Sequence, residues 1–138
     1  MSKLYTASAT ATGGRNGHVK SSDGVLDLET RIPKEMGGPG GAYTNPEQLF
    51  AAGYSACFDS ALQFVARAKK VNLTSSTVTT EVSISARPEG GFMLSVAMKV
   101  QIVGPERAVA EELLQEAHQV CPYSNATRNN VRVELVLV

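Results

Sequence analysis

The chain has 138 residues, 43% hydrophobic and 19% charged, which fits one globular domain spanning 1–138 and excludes a disordered chain. Thirteen basic residues balance thirteen acidic ones with no basic block, so neither nucleic acid nor a membrane surface has electrostatic support as a partner. Two cysteines are too few for a disulfide scaffold, and no apolar run reaches the roughly 18 residues of a membrane span. The N-terminus carries no apolar signal core, so a cytoplasmic location with free thiols is expected. The low charge, against ~25% in typical soluble domains, suits an oligomer interface.

Period-2 alternation opens the chain. Ala7, Ala9 and Ala11 interleave with Thr6, Ser8 and Thr10, and Leu26, Leu28 and Ile32 with Asp27, Glu29 and Arg31. Gly37-Gly38-Pro39-Gly40-Gly41 follows, either a mobile lid or a slack connection. At Asn45 the period becomes helical. Asn45 is a good N-cap, Pro46 suits the first helical position, and Gln48 can complete a capping box. This helix is predicted to run to about Lys70, with Phe50, Tyr54, Cys57, Ala61, Phe64, Val65 and Ala68 on one stripe. Up to Phe58 it is apolar nearly all round, which predicts a central, buried helix.

Val78, Val82, Ile84 and Ala86 then share one strand face, and Phe92, Leu94, Val96, Met98, Val100 and Ile102 share another. Pro88-Glu89-Gly90-Gly91 joins them as a hairpin. A second helix opens at Gly104-Pro105-Glu106, with Ala110, Leu113, Leu114, Ala117 and Cys121 on one face. Pro122 stops it. Val131, Val133, Leu135 and Leu137 form a final strand. The expected fold class is α+β without βαβ repeats: antiparallel sheets with one buried face, packed around two central helices.

Spacing alone leaves two readings of Cys57 and Cys121. Both can be small core hydrophobes. Alternatively, the small residues Ser55, Ala56 and Ser60 leave room beside Cys57, and Cys121 sits where the backbone is not locked, so two packed helices can bring the thiols together. His118-x-x-Cys121 has ligand-like spacing, but no CxxC or HxxxH pair supports a metal site, and none is expected. No histidine lies beside Cys57 to serve a cysteine hydrolase, and His118 is expected on the solvent side of its helix. Arg15, in Gly13-Gly14-Arg15-Asn16-Gly17, reads on its own as a solvated turn arginine. Glu47 is explained by the dipole of the helix it opens.

Three stretches, ATATGGRNGHVKSSDGVLDL (9–28), TNPEQLFAAGYSACFDSAL (44–62) and VCPYSNATRNN (120–130), resemble the organic hydroperoxide resistance proteins, thiol-dependent peroxidases related to the osmotically inducible protein C group. The resemblance runs along essentially the whole chain. Its most specific parts are Ala56-Cys57-Phe58 and Cys121-Pro122-Tyr123-Ser124-Asn125-Ala126-Thr127. It implies that Cys57 attacks the peroxide, that Cys121 is the resolving thiol, and that Arg15, held by Glu47, stabilises the Cys57 thiolate. It further implies an intertwined homodimer with sites built from both chains, organic and fatty-acid hydroperoxides as substrates, a dithiol of the dihydrolipoyl type as reductant, and no cofactor. Asn129 stands where the family usually has glycine, and Asn tolerates left-handed angles best after glycine. Tyr43 replaces a commonly small residue and is expected to narrow the pocket entrance.

An ordinary cysteine is only a few per cent thiolate at neutral pH. Lowering its pKa by about 3 units gains about 14-fold in thiolate but loses about 20-fold in intrinsic nucleophilicity, and the two nearly cancel. The larger work of Arg15 therefore falls on the departing oxygen in the transition state. Glu47 and Cys57 lie ten residues apart, about 15 Å along a straight helix, so either Gly53 breaks that helix or Glu47 serves the partner's Cys57. Tyr54, Phe58 and Met36 are expected to line the substrate pocket, and residues 36–42 to move as a lid with Arg15. Two other readings are an osmotically induced type of peroxidase and a non-catalytic, redox-sensing binding module.

Overall fold

The structure is a computed structural model describing residues 1–138. The chain forms two compact units, Met1–Leu49 and Phe50–Val138.

In the first unit, β1 (Ala9–Thr12), β2 (His18–Ser21) and β3 (Asp27–Glu29) form an antiparallel sheet in the order β1-β2-β3. Ala11 faces Val19 and Val19 faces Leu28 in the register. The alternation predicted these strands, but not their surroundings. Every residue of β1 and β3 is exposed, and the unit's one buried side chain is Thr30. The expected buried face is absent within this chain: β1 offers only alanines, whose small side chains gain little from burial, and Leu28 of β3 is left uncovered by any element of the chain.

Helix α1 (Pro46–Ala68) starts in this unit. Asn45 caps it as expected, its Oδ1 accepting the Gln48 N–H at 2.9 Å. The reciprocal arm of the capping box is not made; the Gln48 Oε1 instead accepts the Thr44 hydroxyl at 3.0 Å. The glycine-rich connection is tied by Gly37, Gly38 and Gly40 N–H groups donating to the carbonyls of Lys34, Pro33 and Ile32.

In the second unit, β4 (Ser75–Ala86) and β5 (Phe92–Val103) form a twelve-residue antiparallel ladder. The hairpin closes with the Arg87 N–H on the Gly91 carbonyl and the Gly90 N–H on the Arg87 carbonyl. Helices α2 (Arg107–Val120) and α3 (Pro122–Thr127) then carry the chain back to β6 (Arg132–Leu137). Against the all-antiparallel expectation, β6 pairs parallel to β5, Ser95 facing Arg132 and Val100 facing Leu137. The helical crossover explains this: it returns the chain to the starting end of β5, which a tight turn cannot do.

The core gathers Tyr54, Phe58, Leu62 and Val65 of α1, Val96, Met98 and Val100 of β5, and Leu113, Leu114 and Ala117 of α2, with Cys121. The α2 face falls where the sequence put it. On α1, Tyr54, Ala61 and Val65 of the predicted stripe are buried as expected, joined by Phe58, Leu62 and Ala66, while Phe64 and Ala68 are exposed. Nor is α1 covered all round, since Ala52 and Ala56 are also exposed. An apolar run along a helix does not say which of its faces this chain itself covers.

Candidate active site

The first unit builds a mount for a charged pair. Gly13 and Gly14 have φ of +78° and +58°, left-handed angles that cost glycine nothing. Gly17 approaches the Thr12 carbonyl so closely that a Cβ there would lie 1.8 Å from its oxygen. Buried Thr30 clamps the turn, its hydroxyl donating to the Gly14 carbonyl at 2.7 Å and accepting the Gly17 N–H at 3.0 Å. This turn presents Arg15, whose Nη1 and Nη2 donate to Glu47 Oε2 and Oε1 at 2.8 and 2.6 Å. The fork-to-fork geometry fixes both side chains. Hydrogen bonding to Arg15 holds the Glu47 carboxyl below the usual carboxylate range, against the opposing effect of burial. The same pair raises the Arg15 guanidinium, so both remain charged at neutral pH. Arg15 is therefore a held side chain, not a freely solvated one, and what the sequence did not reveal is Thr30 beneath it.

Nearby in this unit the Arg31 guanidinium lies 4.7 Å from the centroid of the Tyr43 ring, a cation–π contact. Met36, expected at the pocket, ends the Lys34–Met36 turn and is 41% exposed. His18 pairs with Asp27 at 2.5 Å across β2 and β3.

The second unit brings the two cysteines together. Cys57 lies mid-helix on α1, and Cys121 is the residue between α2 and α3. The Cys121 thiol donates to Cys57 Sγ with the sulfurs 3.4 Å apart. Cys121 is fully buried and Cys57 half-buried, so Cys57 is the more accessible of the two cysteines. Burial pushes the Cys57 thiol up, the backbone N–H of Tyr123 donating to its sulfur pulls it down, and the Cys121 thiol adds to the rise.

α1 runs unbroken through Gly53, so the first of the two arrangements for Glu47 and Cys57, a break at that glycine, is not adopted. Gly53 does a different job. A Cβ there would lie 2.9 Å from Tyr123 Oη, and its absence lets the Tyr123 ring settle against Phe50 and Tyr54, with centroids 6.4 and 5.8 Å away.

Tyr54 and Phe58, expected to line a pocket, are fully buried members of the core. The Tyr54 hydroxyl is engaged by Ser124 Oγ at 2.8 Å and Thr127 Oγ1 at 3.2 Å. His118 is also not on the solvent side. It is half-buried, its Nδ1 is 2.8 Å from Ser124 Oγ, and burial lowers its pKa, with the Arg128 charge adding to the effect. Helix α3 itself was missed, because Pro122 reads as a stop for α2 when it is also the first residue of the next helix. Asn129 does take the left-handed angle its position calls for, φ +62°. No three His, Cys, Asp or Glu side chains gather to hold a metal ion, and no helix is long and apolar enough to cross a membrane.

The family described as OsmC-like protein matches residues 38–136. An organic hydroperoxide resistance protein of Xanthomonas axonopodis pv. citri is 50% identical over 97% of this chain and 94% of its own length. The solved structure of an organic hydroperoxide resistance protein from Legionella pneumophila superposes with a TM-score of 0.95 at 53% identity, covering 99% of this chain and 98% of that one. A third, from Vibrio cholerae with captopril bound in one of the active sites, gives a TM-score of 0.94 at 51% identity over 99% and 94%. The chain belongs to the OsmC-like family, on the branch of the organic hydroperoxide resistance proteins.

Proposed function

We propose that this chain is a thiol-dependent peroxidase that reduces organic hydroperoxides to alcohols, with Cys57 as the attacking thiolate and Cys121 as the resolving thiol. The observation that carries the reading is the 3.4 Å separation of a half-buried and a buried sulfur. Closing it to a bond of about 2.05 Å needs only a small movement. The Cys57 thiolate attacks one peroxide oxygen, the O–O bond breaks, and the alkoxide leaves to take up a proton as the alcohol. Cys57 is then a sulfenic acid. The Cys121 sulfur displaces its hydroxyl as water, leaving a disulfide and protecting Cys57 from irreversible oxidation. A dithiol of the dihydrolipoyl type returns both cysteines to thiols and is itself oxidised to a disulfide.

Arg15, oriented by Glu47, is the group suited to stabilise charge on the departing oxygen. The unbroken α1 favours its acting on Cys57 of a second copy in a homodimer. The uncovered apolar residues Ala52, Ala56 and Phe64 of α1 fit such an assembly, and the Vibrio cholerae relative has more than one active site. Selectivity for organic peroxides would come from apolar groups beside Cys57, which favour an alkyl group and offer nothing to hydrogen peroxide.

Steady-state turnover with a dihydrolipoyl dithiol tests the reading. Cumene hydroperoxide is expected to be reduced much faster than hydrogen peroxide, glutathione is expected not to replace the dithiol, and Cys121→Ser is expected to reduce about one equivalent and then over-oxidise. Dithiol turnover unchanged in Cys121→Ser would contradict the resolving role. Full activity in a protein diluted to monomers would contradict the shared site.

A further inference from the structure

Arg15 and Glu47 are 32 residues apart in the chain, and no single element carries both. The segment 29–32 is tied to each. On one edge, Gly17 and Thr30 exchange backbone bonds, the Gly17 N–H on the Thr30 carbonyl at 3.1 Å and the Thr30 N–H on the Gly17 carbonyl at 2.9 Å. This extends the β2–β3 ladder by one pair, up to the turn that presents Arg15. On the other edge, the Arg31 N–H donates to the Thr44 carbonyl and the Thr44 N–H to the Glu29 carbonyl, both at 3.1 Å, around a parallel bridge of Thr30 with Thr44. Thr44 precedes Asn45, the cap of α1, and Glu47 lies in the first turn of that helix. One short segment therefore sets the backbone position of both members of the ion pair.

A glycine-rich turn has few conformational stops of its own, so a single ladder pair would leave it free to hinge. Side chains pin it. The Thr30 hydroxyl donates to the Gly14 carbonyl and accepts the Gly17 N–H, holding the residues on either side of Arg15 and Asn16. Asn16 Oδ1 accepts the Ile32 N–H at 3.1 Å. Arg31 Nη1 donates to the Thr30 carbonyl at 2.6 Å and to the Gly17 carbonyl at 3.3 Å. A hydroxyl carries one proton and two lone pairs, so Thr30 serves a carbonyl and an N–H at once. Valine, of the same shape, serves neither. The one buried side-chain position of Met1–Leu49 is thus given to a hydrogen-bonding group and not to an apolar one.

We infer that Thr30 and Asn16 are positioning residues for the Arg15–Glu47 pair: they lock the glycine turn to the segment that also sets the start of α1, and so fix where the guanidinium fork meets the carboxylate. The inference deepens the peroxidase reading and rests on it for its purpose, but the pairing it concerns is read without peroxide.

Carbon NMR of the Glu47 carboxyl in the whole protein, assigned with Glu47→Gln, reads the pair. In Thr30→Val its titration is expected to move up toward the ordinary carboxylate value of about 4.3, because the hydrogen bonds from Arg15 that hold it down are loosened. In Thr30→Ser, which keeps the hydroxyl, it is expected to stay as in the wild type. Oxidation of Cys57 by cumene hydroperoxide is expected to slow about 10- to 100-fold in Thr30→Val, the scale of misplacing a group by about 1 Å, and to recover in Thr30→Ser. In an Arg15→Ala background, Thr30→Val is expected to change the rate by less than about two-fold. A purely structural role would lower the melting temperature and leave the titration and the rate of the folded protein in place. An unmoved titration in folded Thr30→Val, a Thr30→Ser as altered as Thr30→Val, or the same fold-loss of rate with and without Arg15 would overturn the inference. Should Thr30→Val fail to fold, Asn16→Ala removes an exposed tie of the same turn and must move the Glu47 titration in the same direction, or the inference fails. A titration that moves while the peroxide rate does not would uphold the positioning and count against Arg15 in the peroxidase reading.

Discussion

In Met1–Leu49 a bidentate ion pair is mounted on glycine turns, and the single buried side chain, Thr30, works through its hydroxyl. In Phe50–Val138 a thiol pair is set against a core of leucines, valines and aromatic rings. Both units were read from the same two-residue alternation, yet one packs an apolar core and the other holds its shape through backbone ladders, tight turns and a clamped threonine. The difference has a physical origin. Alternating Val, Leu and Met on β5 bring large apolar area to one face, whereas the alternating alanines around β1 bring little. Substitutions in the second unit should therefore register first as stability, and in the first unit as chemistry.

The largest expected effect sits in the core. Leu113→Ala empties a fully buried position and should cost about 2–5 kcal/mol, read as a lower urea midpoint. A loss under about 1 kcal/mol would mean that the core is not what holds this unit. Next comes the charged pair. Arg15→Ala should slow oxidation by organic hydroperoxide about 100- to 1,000-fold and shift the melting temperature little. Arg15→Lys should recover only a small part of the rate, since an ammonium lacks the fork that Glu47 grips. A large drop in stability in either variant would erase the distinction between the units.

pH gives a smaller, signed effect. The folded value of Glu47 is depressed by its hydrogen bond to Arg15, so its contribution to stability is fully present above the ordinary carboxylate value of about 4.3. It is lost as pH falls from there through the folded value. The stability difference between the wild type and Glu47→Gln should be flat from pH 6 to 8 and shrink below about pH 4.5; a difference that grows on acidification would contradict the pairing. The smallest effect is expected at Asn129. Its φ of +62° suits glycine at least as well, so Asn129→Gly should change stability by less than about 1 kcal/mol.

Much of this was legible in the residues. The Asn45-Pro46 start of α1, the hairpin at Gly90-Gly91 and the apolar face of α2 follow from local rules that need no knowledge of neighbours. The pairing of β6 was not legible, because alternation is the same in parallel and antiparallel strands and the direction is set by the crossover. The stripe of α1 held at Tyr54, Ala61 and Val65 and failed at Phe64 for a related reason: Phe58 and Phe64 are equally apolar, and only the arrangement of β5 and α2 decides which is covered. For the site, resemblance singled out the two cysteines, Arg15 and Glu47; it covered Tyr54, Ser124 and Thr127 without giving them their hydrogen bonds to one another, and left out His118. His118, Ser124 and Thr127 are ordinary polar residues until α3 folds and turns their polar atoms inward, and a proline read as a stop concealed that helix.

The most direct measurement is rapid mixing of the reduced protein with cumene hydroperoxide and, separately, with hydrogen peroxide, following thiol loss and the mass of the product, with Cys57→Ala as control. The account predicts fast oxidation by the organic peroxide, much slower oxidation by hydrogen peroxide, a Cys57–Cys121 disulfide as product, and no reaction in the control. Slow oxidation by both peroxides, or oxidation that persists without Cys57, would contradict it and return the two cysteines to the core as packing residues.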